Sequence, residues 1–332
     1  MKRLLYISSG KKTLSDLTPS LTLAFKHLEE KRKDFRFQTH SLLKESLEML
    51  DKKIKIFQPT IIVIFGQDTH LAFEYVKHIN VPIGLWVVND PYRISDYYDK
   101  AKQYDFIITE ESSCVPFYKK QLNIYAFHFP LGVNEQNYYP IPNVNKRYDF
   151  SFIGNATPSR LSFFHSLLKT QHNHTYIIVG KGWNQLRQYK LFKNQIKSVI
   201  MKPRDVCKIY NQSKIVLNLH RSDNDLNKNP YQLKALTPNN RTFDICAAKS
   251  FQLVSYREGL KDYFDLNKEI VSFHDASDLA DKINYFKQNK KKRELIAKNG
   301  FIRTLQCHTY KQRVETLLNT LPDELNIIRP FQ

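Results

Sequence analysis

Short apolar runs recur along this chain, and most are followed by a helix-length amphipathic segment, a rhythm that leaves few architectures open. Residues 2–8 (KRLLYIS) are strand-like, 21–33 helical, 35–39 a short strand and 42–57 helical, with Pro59 stopping that helix. Residues 60–65, TIIVIF, are apolar without alternation, as in a strand buried on both faces of a parallel sheet. The spacing then predicts a helix over 71–78, strands over 82–88 and 105–109, a helix over 112–121 and a strand over 124–127. Alternation of this kind predicts parallel sheets with helices on both faces.

The rhythm breaks at residues 130–147, PLGVNEQNYYPIPNVNKR, and resumes with YDFSFIG. A second series is expected: strand 148–153, helix 160–169, strand 175–179, a basic connection through Lys202, helix 205–212 and strand 215–219. Beyond a polar loop come helix 241–248, strands 251–255 and 269–273, and helices 279–288, 291–305 and 309–318. The expected divisions are an N-terminal domain over 1–140, a C-terminal one over 141–307 and a final helix and tail over 308–332.

Size agrees with two domains, since one core seldom grows past roughly 250 to 300 residues and this chain has 332. With 42% hydrophobic and 13% aromatic residues the cores can be real, which excludes a disordered chain. Cys114, Cys207, Cys246 and Cys307 form no close pair for zinc or thiol exchange, so a reducing cytoplasm is expected. The opening MKRLLYISSG turns polar after seven residues, and no later run approaches 20 apolar residues, so neither secretion nor a transmembrane segment is expected. The net charge of +19 concentrates anionic partners of several kinds: nucleotide phosphates, nucleic acid, acidic polymer or anionic lipid. The runs KHLEEKRKDFR (26–36) and QNKKKR (288–293) are read first as solvated faces, and no finger, ribonucleoprotein motif or basic arm accompanies them.

In open α/β sheets ligands collect beyond the carboxyl ends of the strands, which selects a few segments. SSGKKT (8–13) is a turn or a substrate-facing loop, and the absence of G-x-G-x-x-G and Walker patterns weighs against dinucleotide and ATP binding. In WVVNDP (86–91), Asp90 is a turn former or a general base for an acceptor hydroxyl. In FIGNATPSR (152–160), Gly154 permits a sharp turn beside Asn155. There Arg160 opens a helix, a poor place for a cation unless it meets an anion such as diphosphate or a carboxylate. VGKGW (179–183) offers Lys181 to a phosphate and Trp183 to a base, or else a solvated lysine and a buried indole. His220 and Arg221 follow a buried strand. Asn240 and Arg241 open a helix, with Asp244 one turn on: a diphosphate and ribose site, or an Arg241–Asp244 pair capping its own helix. The histidines, His172 and His174 included, lack metal-ligand spacing, so no metal site is expected.

The order of these segments resembles the CgeB-like (spore maturation type) glycosyltransferases of the GT-B superfamily. The likeness is strongest over 217–310, in NNRTFDICAAKSFQLVSYREGLKDYF, KEIVSFHDASDLADKINYF, KKRELIAKNG and HTYKQR. WVVNDP and YDFIITEESSCVPFYKKQLNIYAFHFPLGVN extend it through most of the chain.

The resemblance implies an α/β GT-B fold, two Rossmann-like domains facing across a cleft. The C-terminal domain would bind a nucleoside-diphosphate sugar, the acceptor would approach from the N-terminal one, no metal or cofactor would be obligatory, and the last helix would brace the N-terminal domain. Carried onto this chain, the donor-site residues are Gly154, Asn155, Arg160, Lys181, His220, Arg221, Asn240, Arg241 and Asp244. Arg160 and Arg241 would offset leaving-group charge, and Asp90 would deprotonate an unidentified acceptor, a spore or cell-surface glycan or protein, acidic ones among the candidates. Two departures stand out: the family's frequent glutamate is Asp244, and its glycine after the alanines is Lys249. An acid eight residues before Asp244 would fall at Leu236, so the two-carboxylate signature of retaining enzymes is absent. The reading from a different class is a nucleic-acid-binding protein that uses its basic surface without sugar chemistry.

Overall fold

The computed structural model describes residues 1–9, 17–66, 70–171, 173–223 and 225–321. By its internal contacts the chain divides into two compact units. One is Met1–Leu131 with Leu226–Ala235 and Tyr310–Gln332; the other is Gly132–Asp225 with Leu236–Thr309. The chain thus leaves the first unit at Leu131, earlier than the expected 140, and a later stretch returns to it. That return is held by side chains distant in sequence. Tyr231 packs against Tyr98 and Phe117 at ring-centroid distances of 5.3 and 4.7 Å, and Lys228 pairs with Asp96 at 2.9 Å.

The first unit runs β1 (Lys2–Ser8), α1 (Leu17–Lys31), β2 (Phe35–Ser41), α2 (Leu47–Phe57), β3 (Ile61–Phe65), α3 (His70–Val76), β4 (Ile83–Val87), α4 (Tyr98–Ala101), β5 (Phe106–Thr109), α5 (Cys114–Leu122) and β6 (Tyr125–His128). Its sheet is parallel, in the order β2-β1-β3-β4-β5-β6. Side chains alternate across it. Leu4, Tyr6, Val63 and Trp86 face α1, while Leu5, Ile7, Ile62, Ile64 and Leu85 join the core on the other face. Helix α2 begins five residues later than its apolar pattern suggests, because Ser46 caps it by accepting from the Met49 N–H.

The second unit carries β7 (Tyr148–Ile153), α6 (Pro158–Thr170), β8 (Tyr176–Val179), β9 (Ile196–Lys197), α7 (Pro203–Gln212), β10 (Ser213–Asn218), α8 (Asn240–Ala247), β11 (Gln252–Ser255), β12 (Val271–Phe273), α9 (Ala276–Gln288) and α10 (Lys290–Cys307). Its parallel order is β12-β11-β10-β7-β8-β9. The two-residue β9 lies inside what the sequence presents as a basic connection. Helix α11 (Tyr310–Thr320) follows α10 and belongs to the first unit, where Tyr310, Val314, Leu317 and Leu318, spaced as one helical face, join the α1 core. No helix among the described residues is long and apolar enough to cross a membrane.

Candidate functional site

The second sheet reverses its direction of winding between β7 and β10, which are neighbours in the sheet but far apart in the chain. A crevice opens at such a switch point because the connections leave toward opposite faces. In this unit the carboxyl ends of β7 and β10 lead to Gly154 and Leu219 respectively.

Backbone chemistry shapes the β7 and β8 exits. Gly180 has φ +155°, and a Cβ built on it would stand 2.0 Å from the Gly154 carbonyl oxygen, so the two loops approach in a way only glycine allows. The Gly154 N–H donates to the Val179 carbonyl at 2.8 Å, the Lys181 N–H donates to Asn155 Oδ1 at 3.0 Å, and the Trp183 indole donates to the Gly154 carbonyl at 2.7 Å. Trp183 is fully buried, edge-on to Phe152 and Phe164, so it serves the core and is not available to stack on a base. Asn155 and Lys181 are exposed beside it.

Arg160 sits in the first turn of α6 and is only 5% exposed. One guanidinium nitrogen donates to the Asn155 carbonyl at 3.0 Å and the other to the Leu219 carbonyl at 2.5 Å, while the group lies 5.3 Å from the Phe152 ring centroid. It therefore bridges the two strand exits on either side of the switch point. The two guanidinium nitrogens turn inward to carbonyls that burial would otherwise leave unpaired, a geometry suited to positioning. The N-terminus of α6 already meets an anion as well: Asp225 accepts from the Ser159 N–H at 3.2 Å and from the Ser159 hydroxyl at 2.7 Å.

His220 follows β10. Its Nδ1 stands 3.0 Å from the Ser255 carbonyl, an acceptor only, so Nδ1 carries the proton and the buried Nε2, which has no partner among the described residues, presents a lone pair. Burial first, and then the nearby guanidinium groups of Arg257, Arg160 and Arg241, hold this imidazole well below its ordinary pKa and neutral. Arg257 was not anticipated. It donates to the Thr237 carbonyl at 2.8 Å and the Arg221 carbonyl at 3.3 Å, tying together the loops on either side of the site. Its place two residues beyond β11 obeys the same strand-exit rule that selected the others. Arg221 is half-buried.

Helix α8 is capped by Asn239, whose side chain accepts from the Thr242 N–H at 3.1 Å and donates to Asn218 Oδ1 at 3.0 Å. Asn240 donates to Asp244 Oδ2 at 3.2 Å, and Asp244 is 4% exposed. Arg241 is half-buried and makes no hydrogen bond or ion pair among the described residues, so the pairing of Arg241 with Asp244 considered from sequence does not form. An unpaired guanidinium at a helix N-terminus, beside a neutral imidazole and two further arginines, is a site shaped for an anion.

In the first unit, Asp90 follows β4 and is 2% exposed. The Thr109 hydroxyl donates to it at 2.7 Å and the Tyr118 hydroxyl at 3.1 Å; burial pushes its pKa up to about 7, against those two hydrogen bonds. Asp90, read from sequence as a turn former or a general base for an acceptor hydroxyl, stands in the interior, where it joins β4, β5 and α5. The expected SSGKKT loop lies beyond Ser9 outside the described residues. Among the described residues no three His, Cys, Asp or Glu side chains converge as metal ligands would.

A family model described as glycosyl transferase-like matches residues 160–319. Spore protein CgeB of Bacillus subtilis (strain 168) is 24% identical over 267 residues, covering 78% of this chain and 82% of that protein. Among solved structures, the sucrose-phosphate synthase of Thermosynechococcus elongatus superposes with a TM-score of 0.66 at 10% identity, covering 96% of this chain and 98% of that one. Anabaena Alr3699/HepE in complex with UDP and glucose gives 0.63 at 12% identity, covering 97% and 100%. This chain has the two-sheet GT-B fold and resembles in sequence the CgeB-like glycosyltransferases.

Proposed function

We propose that the protein transfers a sugar from a nucleoside-diphosphate donor held at the β7–β10 switch point. The observation that carries this reading is Arg241, half-buried at the start of α8 with no side-chain partner among the described residues, near His220, on whose imidazole Arg160 and Arg257 also act. In the reaction the bond from the sugar's anomeric carbon to the diphosphate oxygen breaks while one to an acceptor hydroxyl oxygen forms, and that hydroxyl's proton passes to solvent or to the departing diphosphate. Negative charge then grows on the diphosphate, where Arg241, the exposed Lys181 and the α8 amides offset it. Asn240 and Asp244 sit one helical turn apart at the same terminus, suited to orienting a ribose. Gly154, Asn155 and Arg221 supply the surrounding backbone, and the neutral His220 Nε2 accepts a hydroxyl hydrogen bond. Arg160 acts as a positioning residue that keeps the two strand exits in register, and Asp90 as one that braces the first unit.

The complexes of HepE with UDP and with UDP-glucose support uridine nucleotides as the first donors to try. The nucleic-acid reading is the less favoured one beside the glycosyl transferase-like match. Calorimetry with UDP, GDP, CDP and dTDP and their sugars tests the proposal. Binding of one of them, lost in Arg241→Ala, supports it; no binding of any by the folded protein refutes it.

A further inference from the structure

At the other end of the second sheet, where β7, β10 and β11 begin, a cavity of about 690 Å³ is lined by Lys146, Lys214, Lys249, Lys290, Arg293 and Lys298, with Glu294 as its carboxylate. Its volume falls in the range of small-ligand sites, roughly 300 to 1,000 Å³. Along β10, six residues separate Lys214 from His220, about 20 Å of extended chain, so this is not the site described above.

Three of these cations have partners in the protein, Lys214 pairing with Asp149 at 2.8 Å, Lys146 donating to the Asn211 carbonyl at 2.8 Å and Arg293 donating to the Phe286 and Lys287 carbonyls. Lys249, Lys290 and Lys298 are crowded beside them with little or no relief. Helix α10 opens with Lys290, Lys291, Lys292 and Arg293, has no acid in its first turn and no side-chain cap, and so sets positive charge on the positive end of its dipole. Burial and the adjacent Arg293 hold Lys146 down to about 8, with Glu294 opposing. Lys290 reaches Glu294 only at 3.8 Å. The Lys249 and Lys298 ammonium groups make no hydrogen bond or ion pair among the described residues, and Lys249 lies over Phe301 at 6.0 Å from the ring centroid. Lysines present point charges with freely rotating donors, which suits phosphate oxygens arriving from several directions.

We propose that this cavity is a second anion site, separate from the donor site, that takes a ligand carrying several phosphate groups. The inference stands whether or not the donor reading does. The same chemistry arises from a free oligophosphate or from a phosphodiester chain, and the concave shape disfavours a flat lipid surface.

The test titrates inorganic tripolyphosphate, and separately a short glycerol phosphate oligomer, into the full chain in a phosphate-free buffer of low salt. The comparison proteins are Lys249→Gly/Lys298→Ala and Arg241→Ala. Lys249 has φ +51°, a conformation glycine adopts freely, so the double variant removes two ammonium groups without straining the fold. Affinity for at least one probe is expected to fall about ten-fold or more in the double variant and to stay unchanged in Arg241→Ala, since each lost charged contact is worth roughly that factor. The probe that binds identifies the source. Neither probe binding, equal binding by the double variant, or loss of binding in Arg241→Ala alone overturns the proposal. The last of these outcomes would place the anion at the donor site instead.

Discussion

Arg160 and Arg241 are both arginines at helix N-termini, and their surroundings set them opposite tasks that one paired experiment separates. Arg160→Ala removes two charge-assisted hydrogen bonds and leaves the Asn155 and Leu219 carbonyls without a donor at a site 5% exposed. At about 1.5–3 kcal/mol for each such bond, the expected loss of stability is about 3–6 kcal/mol, a fall of roughly 10 °C in the melting temperature. Arg241→Ala removes no hydrogen bond or ion pair among the described residues and relieves a cation at a helix N-terminus, so stability should change by less than about 1 kcal/mol. Its diphosphate affinity should fall about ten- to a hundred-fold, with Arg241→Lys recovering only part of the loss. Thermal unfolding and calorimetric titration with UDP on the same three proteins read both quantities. A destabilised Arg241→Ala with unchanged affinity would refute the division of labour, as would a fully stable Arg160→Ala.

Further expectations follow from the buried groups and loops. Asp90, raised to about 7 from an unfolded value near 3.9, binds a proton more readily in the native state, so its contribution to stability is lost as pH rises from about 4 through 7. Denaturant unfolding at pH 5 and pH 8 should show Asp90→Asn flattening that decline by an amount of order 2–4 kcal/mol at the upper pH; identical slopes in both proteins would contradict it. Gly180→Ala drives a Cβ to 2.0 Å from the Gly154 carbonyl oxygen and should cost several kcal/mol or prevent folding, and an unaltered urea midpoint would show that the loop simply moves aside. His220→Ala should weaken donor binding with little change in its pH dependence around neutrality, because burial and the nearby guanidinium groups hold the imidazole well below its ordinary pKa. A binding transition near pH 6.5 that disappears in the variant would count against this.

The alternation of apolar runs was enough to anticipate two parallel sheets, because burial on both faces writes itself into unbroken stretches such as Ile61–Phe65. The strand-exit rule likewise selected His220, Arg241 and Gly154. What it could not tell is where a side chain turns once it arrives. Arg160 and Arg241 both lie in the first turn of a helix, and a main difference between them is a carbonyl at Leu219, distant in sequence. Asp90 is interior because Thr109 and Tyr118 close over it. Trp183 is interior because Gly180 lets the loop carrying it draw tight against Gly154. Local pattern also hid the basic cavity: QNKKKR is an ordinary solvated run until β7, β10 and β11 bring Lys146, Lys214 and Lys249 alongside it.

The chain passes between its two units at residues 131–132, 225–226, 235–236 and 309–310. Modularity suffers accordingly: no single cut in the gene releases either half intact. A fragment ending at Leu131 would lack α11, leaving Phe25 and Leu28 without the Val314 and Leu317 that share their core, and without the strap that bears Tyr231. Recombination between relatives that aims to exchange one half must therefore carry Leu226–Ala235 and the C-terminal helix along with residues 1–131. Grafts designed at one junction should yield insoluble protein even when each parent is stable.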